Sequence, residues 1–267
     1  MKRRTVVPIV MSAFLLGAIE AAAQEGDFLK VELGVRGFFG EANGRLRKGN
    51  VPGGISTNVR LDDDLDASDD ATGAAISLTG LLKGGSSFNV QGWQYTSEGS
   101  TTVNEPHSFG ALTVAGPTST DVEVRYVSAK MVFGLTKEGE PLRVGLGGAG
   151  KVLHWKTEIN VEGVGQETLD MRTIYPSAEI EVSYAIGESV LLKAEGGLGM
   201  PSYSKKSVEI QNPLEIRVGA RISLGALTIE GGYQVFDATL VEHQNQPEEN
   251  RASVNLSGLY FELAARF

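Results

Sequence analysis

Apolar and polar residues alternate with a period of two along most of the chain from residue 28 onward. From Leu214 to Leu224, aliphatic side chains occupy one face, and glutamate, arginine, glycine and serine occupy the other. Residues 31–36, 174–186 and 190–200 repeat this alternation. Successive side chains of a strand point to opposite faces, so the pattern predicts a sheet with one apolar and one polar face.

The lengths of the strands and of their connections favour a barrel that spans a membrane. Several predicted strands have about ten residues or more, which a tilted strand needs to cross a bilayer. Short connections alternate with longer polar ones, as do the periplasmic turns and external loops of outer-membrane barrels. The predicted short turns are residues 83–86, 136–141, 187–189 and 225–226, and the predicted long loops are residues 40–71, 99–120, 158–168, 203–213 and 244–252.

These connections predict an all-β fold, a closed antiparallel transmembrane β-barrel of about 10 strands, with 8 or 12 as alternatives. An even number places both ends of the barrel in the periplasm. In a barrel of twelve strands, residues 55–61 and 108–116 would supply the extra ones. The ten predicted strands are residues 28–39, 72–83, 87–98, 121–135, 142–157, 169–186, 190–202, 214–224, 227–243 and 253–267.

The first segment has the pattern of an export signal. Basic residues at 2–4 precede an apolar stretch from Val6 to Ile19, and Ala21-Ala22-Ala23 fits an A-x-A cleavage site. The apolar stretch is too short for a membrane helix, and Pro8 interrupts it. We therefore expect a cleaved signal peptide over residues 1–23 and one barrel domain over residues 24–267.

Composition removes several classes of function. The chain has no cysteine, which excludes disulfides, thiolate metal sites and a cysteine nucleophile. Its formal net charge of -9 argues against nucleic acid as a partner, because phosphate binding needs a basic surface. We expect no cofactor and no metal site.

The end of the chain carries the most specific pattern. One face of the last predicted strand consists of Leu259, Phe261, Leu263, Ala265 and Phe267. This face resembles the C-terminal insertion signal of outer-membrane β-barrel proteins, which the barrel-assembly machinery reads. Over residues 24–267 the chain is similar, by pattern and not by residue identity, to small porin-like and outer-membrane-domain barrels. The resemblance implies the bacterial outer membrane as location, with outer-membrane lipid, lipopolysaccharide and, during insertion, the assembly machinery as partners.

In such a barrel the aliphatic face points to lipid and the polar face lines the lumen. Aromatic residues near strand ends are then expected to form an interfacial girdle, namely Trp93, Tyr95, Tyr126, Trp155, Tyr184, Tyr203 and Tyr233. The predicted lumen carries both signs of charge, and at about eight to ten strands we favour a packed interior with salt bridges as a plug. The predicted lumen charge network consists of Lys30, Glu32, Arg36, Lys130, Arg143, Lys151, Glu179, Glu181, Lys193, Glu195, Glu215, Arg217, Arg221, Glu230, Glu262 and Arg266.

Two further patterns could indicate binding sites. Residues Gly145 to Gly150 match G-x-G-x-x-G, but they lie inside a strand pattern with no helix after them, unlike a dinucleotide site. The acidic cluster from Asp62 to Asp70 lacks the glycine and glutamate of an EF-hand loop. We interpret it as a solvated loop, with calcium or divalent bridging to lipopolysaccharide as alternatives. The basic residues Arg45, Arg47 and Lys48 could meet lipopolysaccharide phosphates, although an ordinary polar loop is the preferred interpretation.

The expected function is a structural or surface-interaction role through the extracellular loops. A narrow channel for small polar solutes or ions is the alternative. An outer-membrane hydrolase is less favoured, because only His107, His154 and His243 could serve as its base and none lies in a His-x-Ser-Asn type of pattern. We expect no catalytic residues and no enzymatic activity.

Overall fold

The computed structural model describes residues 28–49, 57–67, 71–82, 85–137, 139–201, 208–243, 246 and 248–267. The predicted signal peptide, residues 1–23, lies outside these ranges. Within them, no helix is long and apolar enough to cross a membrane.

The described chain folds into ten long antiparallel strands and one short strand. The short strand, β2, spans only Val59–Arg60. The long strands are β1 (Phe28–Arg47), β3 (Ala71–Leu82), β4 (Ser87–Phe109), β5 (Leu112–Gly134), β6 (Leu142–Val161), β7 (Gly165–Ile186), β8 (Val190–Gly199), β9 (Glu209–Leu224), β10 (Leu227–Glu242) and β11 (Asn250–Arg266).

Pairing of the first and last strands closes the sheet. Each long strand pairs with the next one along the chain, and β1 also pairs with β11. Val31 N donates to Phe267 O over 3.2 Å, and Phe267 N donates to Val31 O over 2.8 Å. The predicted closed antiparallel barrel of ten strands is confirmed. The proposed extra strands do not form: β2 does not cross the barrel, and residues 108–116 belong to the tip of the β4–β5 hairpin.

At one end of the barrel the strands are longer than the sequence pattern predicts. β4 and β5 have 23 residues each and are joined by residues 110–111 alone, where the sequence predicts a loop over residues 99–120. Residues 162–164 join β6 to β7, in place of the predicted loop 158–168. The prediction of long polar loops is therefore wrong for these two connections.

An apolar band encircles the half of the barrel that is nearest to the short turns. On β11, Leu259, Phe261 and Leu263 point outward and are 64%, 54% and 46% exposed. On β9, the outward residues from Leu214 to Leu224 form the same kind of face. A tilted strand crosses a bilayer core with about 9–11 residues, which is the height of this band. We call this half of the barrel the membrane band.

Beyond the membrane band, the two faces of the wall exchange polarity. On β7, the outward side chains change from Ile174 in the band to Arg172 and Asp170 beyond it. The inward side chains change from the buried Glu179 to the buried Leu169. We call these distal strand segments the outer extension. Its polar outward face and apolar inward face are those of a barrel in water. A search for strands with an apolar outward face therefore assigns these residues to loops.

The membrane band predicts a position-dependent response to charge. Val218 lies at the middle of the band on β9 and is 53% exposed. Val218→Arg should destabilise the barrel by roughly 2–4 kcal/mol in lipid vesicles, because a guanidinium must then enter hydrocarbon. Urea titration of the vesicle-inserted protein measures this. Gln166→Arg, on the exposed outward face of the outer extension, is the control and should change stability little. Equal effects of the two substitutions would contradict the placement of the band.

Candidate functional site

Glu32 is the centre of one group of ion pairs in the lumen. Its carboxylate accepts from Arg221 Nη1 at 2.8 Å and from Arg266 Nη2 at 2.7 Å. Arg221 also donates from Nε to Glu230 Oε2 at 2.8 Å. β1, β9, β10 and β11 supply these side chains, so the pairs join strands that are not all neighbours in the sheet.

A second group of ion pairs is centred on Glu195. Lys130 Nζ is 2.8 Å from Glu195 Oε2 and 2.5 Å from Glu181 Oε1. Arg217 Nη2 is 2.5 Å from the same Glu195 oxygen. Lys193 also contacts this carboxylate. Glu195 therefore balances cations from three strands, β5, β8 and β9.

Further pairs complete what we call the ion-pair layer. Lys151, which is 2% exposed, lies 2.7 Å from Glu179 Oε1 and 3.2 Å from Glu215 Oε2. Arg36 Nη2 lies 2.5 Å from Glu262 Oε2, beside the closing β1–β11 pair. Burial of such charges is costly unless each is paired. The alternate arrangement of cations and carboxylates meets that requirement.

The structure brings most of the predicted lumen residues together but leaves two of them apart. Lys30 and Arg143 are exposed and form no ion pair with any residue in the described ranges. Both line a cavity of about 390 Å³ that reaches from the short-turn end of the barrel to Lys130, Glu195 and Arg217. The other fourteen predicted residues form the ion-pair layer: Glu32, Arg36, Lys130, Lys151, Glu179, Glu181, Lys193, Glu195, Glu215, Arg217, Arg221, Glu230, Glu262 and Arg266.

Neutral polar side chains extend this layer, and the sequence interpretation missed them. The Tyr260 hydroxyl donates to Glu230 Oε1 at 2.9 Å, and its ring lies 5.3 Å from the Arg36 guanidinium. Ser77 Oγ donates to Glu262 Oε1 at 3.2 Å. The alternation offered a signal, because Tyr260 has the same parity as Glu262 on β11 and must also point inward.

Small residues on the inner wall make room for these large side chains. A Cβ atom at Gly219 would lie 2.2 Å from the Tyr260 hydroxyl oxygen and 2.8 Å from the Gly231 carbonyl oxygen. Only glycine therefore fits opposite Tyr260. The position of the Tyr260 ring depends on this missing side chain.

Three aromatic rings meet across the lumen above the ion-pair layer. The Trp93 ring stacks on Tyr126 with 5.0 Å between centroids, and Phe236 meets Trp93 at 5.5 Å and Tyr126 at 5.8 Å in edge-on geometry. Trp93 and Tyr126 belong to β4 and β5, whereas Phe236 belongs to β10 across the barrel. We call these three rings the aromatic layer. Tyr126 and Phe236 are each only 1% exposed.

The predicted interfacial girdle is wrong for most of its members. Tyr95, Tyr126 and Trp155 are buried inside the barrel, and Trp93 packs against the same core. These residues lie where the wall has exchanged polarity, so an inward aromatic is part of an apolar core. Only Tyr184 and Tyr233 are exposed on the outer face of the band, at 48% each. Tyr203 lies outside the described residues.

The connection between β1 and β3 folds back into the outer extension. Val59, Leu61, Leu65 and Ala67 are all 0% exposed and belong to its apolar core. β2 fixes this connection to the wall by pairing with the end of β1. Ser97 Oγ also donates to Ala67 O at 2.6 Å. The described part of the connection thus fills the outer extension from above with its apolar residues, while Asp62, Asp63, Asp64 and Asp66 between them stay exposed or part-exposed.

The acidic cluster lies in the turn between these buried residues. Arg60 contacts Asp62 and Asp63, and Arg60 N donates to Asp64 Oδ2 at 2.7 Å. Partial burial raises the pKa of Asp62, but the hydrogen bond from Arg60, with backbone hydrogen bonds, outweighs it, so the net pKa falls below its ordinary value. Asp69 and Asp70 lie outside the described residues. Within the described ranges, no group of three or more histidine, aspartate or glutamate side chains could hold a metal ion.

The remaining candidate residues are dispersed. Each histidine faces a carboxylate: His107 Nε2 lies 3.6 Å from Asp64 Oδ1, His154 Nε2 lies 2.7 Å from Asp170 Oδ1, and His243 Nε2 lies 4.0 Å from Glu242 Oε1. They belong to β4, β6 and the end of β10, so the three do not form one site. The glycine motif at 145–150 lies within β6.

Basic residues near the end of β1 are bound to neighbouring segments. Lys48 Nζ contacts Glu167 and donates to Thr168 O at 2.6 Å, and Arg47 Nη1 lies 3.7 Å from Glu249 Oε1. Arg45 is exposed on the outward face of β1.

Comparisons with known proteins add little to this description. No protein-family model matches the chain, and no curated protein matches it. Among solved structures it is similar to the translocator domain of the autotransporter NalP from Neisseria meningitidis, with 13% identity, coverage of 97% of this chain and 98% of that one, and a TM-score of 0.40. It is also similar to Ail, the attachment invasion locus protein of Yersinia pestis, with 11% identity, coverage of 87% and 98%, and a TM-score of 0.35. At these values the assignment of a closed barrel rests on the strand pairing described above.

The ion-pair layer predicts that loss of a central carboxylate destabilises the barrel. Glu32→Gln keeps the shape of the side chain but leaves Arg221 and Arg266 without their shared anion. The free energy of unfolding should therefore fall by about 3 kcal/mol. Urea unfolding of the refolded barrel measures the change. Glu158→Gln removes the exposed Lys156–Glu158 pair of β6 and should cost less than about 1 kcal/mol. If Glu32→Gln has no larger effect than this control, the layer is not a stabilising element.

A second prediction concerns the contact between Gly219 and Tyr260. Gly219→Ala should displace the ring and break its hydrogen bond to Glu230, with a loss of about 1–3 kcal/mol in unfolding free energy. Gly150→Ala is a matched control, because a Cβ there meets nothing within 4 Å. The same urea titration compares the two, and unchanged stability of Gly219→Ala would show that the ring can move without penalty.

Proposed function

We propose that the chain is an integral barrel of the bacterial outer membrane with a sealed lumen, and that it has a structural or surface-interaction role through its extracellular end. The observation that carries this proposal is the filling of the lumen by two successive layers. Charged side chains pair inside the membrane band, and aromatic rings meet across the barrel directly above them. A protein that moves solutes needs an open path at both levels.

Burial of the inward side chains supports the seal. Lys151 and Glu230 in the ion-pair layer are 2% exposed, and Leu153 and Trp155 beyond it are 0% exposed. A water-filled path would leave side chains at these levels accessible to water. The apolar core of the outer extension, with the inserted residues 57–67, adds further thickness to the filling.

A narrow channel is the second candidate, because the 390 Å³ cavity opens at the short-turn end of the lumen. Its lining includes Lys30 and Arg143, which have no ion-pair partner in the described ranges. The cavity reaches Lys130 and Arg217 at the ion-pair layer. In a sealed barrel it is an inner vestibule only.

The extracellular end is held in one arrangement by contacts between its connections. Gly110 N donates to Lys48 O at 3.0 Å, and Gly49 N donates to Asn250 Oδ1 at 3.0 Å. With the contact of Lys48 and Glu167, these bonds join the ends of five strands. Such a preorganised surface suits contact with partners. Because the three histidines lie apart in the fold, we also propose that the protein is not an enzyme.

Export and assembly complete the proposal. Residues 1–23 would be removed after translocation, and the short turns would face the periplasm. The assembly machinery would read the outward face of β11, where Leu259, Phe261 and Leu263 are exposed. Outer-membrane lipid, including lipopolysaccharide, would surround the membrane band.

Planar-bilayer conductance of the refolded residues 24–267 tests the seal. We expect a silent bilayer from protein whose heat-dependent gel shift shows that it has folded, with a known porin as the positive control for the bilayer. Stable, discrete current steps from the folded wild-type barrel would contradict the proposal and favour the channel.

Variants assign the seal to its two layers. Arg217→Ala/Arg221→Ala weakens the ion-pair layer but leaves the aromatic layer, and Tyr126→Ala/Phe236→Ala does the reverse, so each should remain silent. We expect current steps only from the chain that combines all four substitutions. Conductance from either pair alone would show that one layer carries the whole seal, and the gel shift shows which variants are folded.

A further inference from the structure

Three basic side chains form a row across the outward face of β5, β6 and β7. Arg125 is paired in register with His154, and His154 is paired in register with Arg172. Because paired residues of neighbouring strands point to the same face, all three project outward. Strands lie about 4.8 Å apart, so the row spans roughly 10 Å of the barrel surface. We call it the basic row.

The basic row lies directly at the edge of the membrane band. Two residues closer to the short turns, the outward positions on the same strands are Val127, Val152 and Ile174, which are also paired in register. The basic row thus occupies the first polar outward positions beyond the membrane band on these strands. This is the level at which lipid headgroups of the outer leaflet must lie.

Four other strands carry no positive charge at this level. The first polar outward position beyond the band is Glu41 on β1, Gln94 on β4, Asp237 on β10 and Ser257 on β11. These positions are acidic or neutral. Compared with these four strands, the basic row is therefore a feature of β5, β6 and β7.

The nearby carboxylates are arranged on the side of the row that faces away from the membrane. Arg125 Nη2 lies 2.6 Å from Glu123 Oε1, and His154 Nε2 lies 2.7 Å from Asp170 Oδ1. Both acids occupy the next outward row, where Lys156 is paired in register between them. Arg172 is exposed and forms no ion pair within the described ranges. Arg125 and His154 therefore pair with the next row, and Arg172 is the member of the row that keeps an uncompensated charge within the described ranges.

We propose that the basic row binds the phosphate of a lipid headgroup in the outer leaflet, as lipopolysaccharide carries. Guanidinium groups match phosphate oxygens in a bidentate geometry, and the two here lie on β5 and β7, one strand to each side of His154. The acyl chains of the same lipid would lie against Val127, Val152 and Ile174. This inference rests on the proposed membrane placement and gives it a specific lipid site.

Binding of purified lipid A to the detergent-refolded barrel tests the site, with bound lipid counted by native mass spectrometry across a titration. Arg125→Gln/Arg172→Gln should weaken binding of bisphosphorylated lipid A about 30-fold, since each basic side chain near a membrane surface contributes roughly a factor of five. Lys30→Gln/Arg143→Gln removes the same charge from the cavity at the short-turn end, away from the row, and should bind as wild type does. Dephosphorylated lipid A should bind to the wild type as weakly as bisphosphorylated lipid A binds to the double variant.

Three outcomes would overturn the inference. The double variant could bind bisphosphorylated lipid A as tightly as wild type does. It could also lose affinity for dephosphorylated lipid A to the same extent, which would show that the phosphate is not recognised. Alternatively, soluble inorganic pyrophosphate could compete as effectively as lipid A, which would show that the site binds free phosphate and not a lipid. Failure of the proposed function is recognised separately, because wild type and variants alike would then fail to insert into vesicles or would conduct current.

Discussion

Pairing of backbone N–H and C=O groups in the absence of water is the constraint on which the rest of this structure depends. A sheet in hydrocarbon has no solvent to satisfy its edges, so it must close on itself. The closure here is the β1–β11 pairing, which runs from Glu32 and Arg266 to Arg47 and Arg251. Once the wall is closed, every inward side chain must fit a lumen of fixed width, and every outward one must match lipid or water at its own height.

The ring of ten strands leaves a lumen that side chains can fill. Within the membrane band the filling is ionic, with carboxylates such as Glu195 shared between cations from several strands. Above the band it is apolar and resembles the core of a soluble protein. The outward faces of the two parts also differ in polarity, because the lower wall meets lipid and the upper wall meets water. One wall thus carries both kinds of packing, and the change from one to the other occurs without any break in the strands.

The sequence predicts the membrane half of this structure well and the outer half poorly, for physical reasons. An apolar outward face with alternate charges, as in Leu214 to Leu224, has a period and a polarity that together indicate a lipid-facing strand. Residues 99–120 keep the period in part, but serine, threonine, glycine and proline are frequent there, and nothing local shows that Val103 and Val114 face a core. The charged residues of the lumen could be assigned by parity, whereas their partners could not. Which carboxylate meets Arg221 depends on the stagger of β9 against β1, across two intervening strands.

The exchange of polarity along the wall also sets the depth of the barrel in its membrane. Sliding outward by one residue pair would bring apolar positions such as Phe39 and Leu259 into water. Sliding inward would carry Arg125, Arg172 and Glu41 into hydrocarbon, at a cost of up to about 1 kcal/mol for each basic side chain just below the interface, which grows with depth. The free energy of the barrel therefore rises when it moves in either direction, since many side chains cross the interface together. Its vertical position is encoded in its own sequence, and a bilayer of different thickness must adapt to the protein.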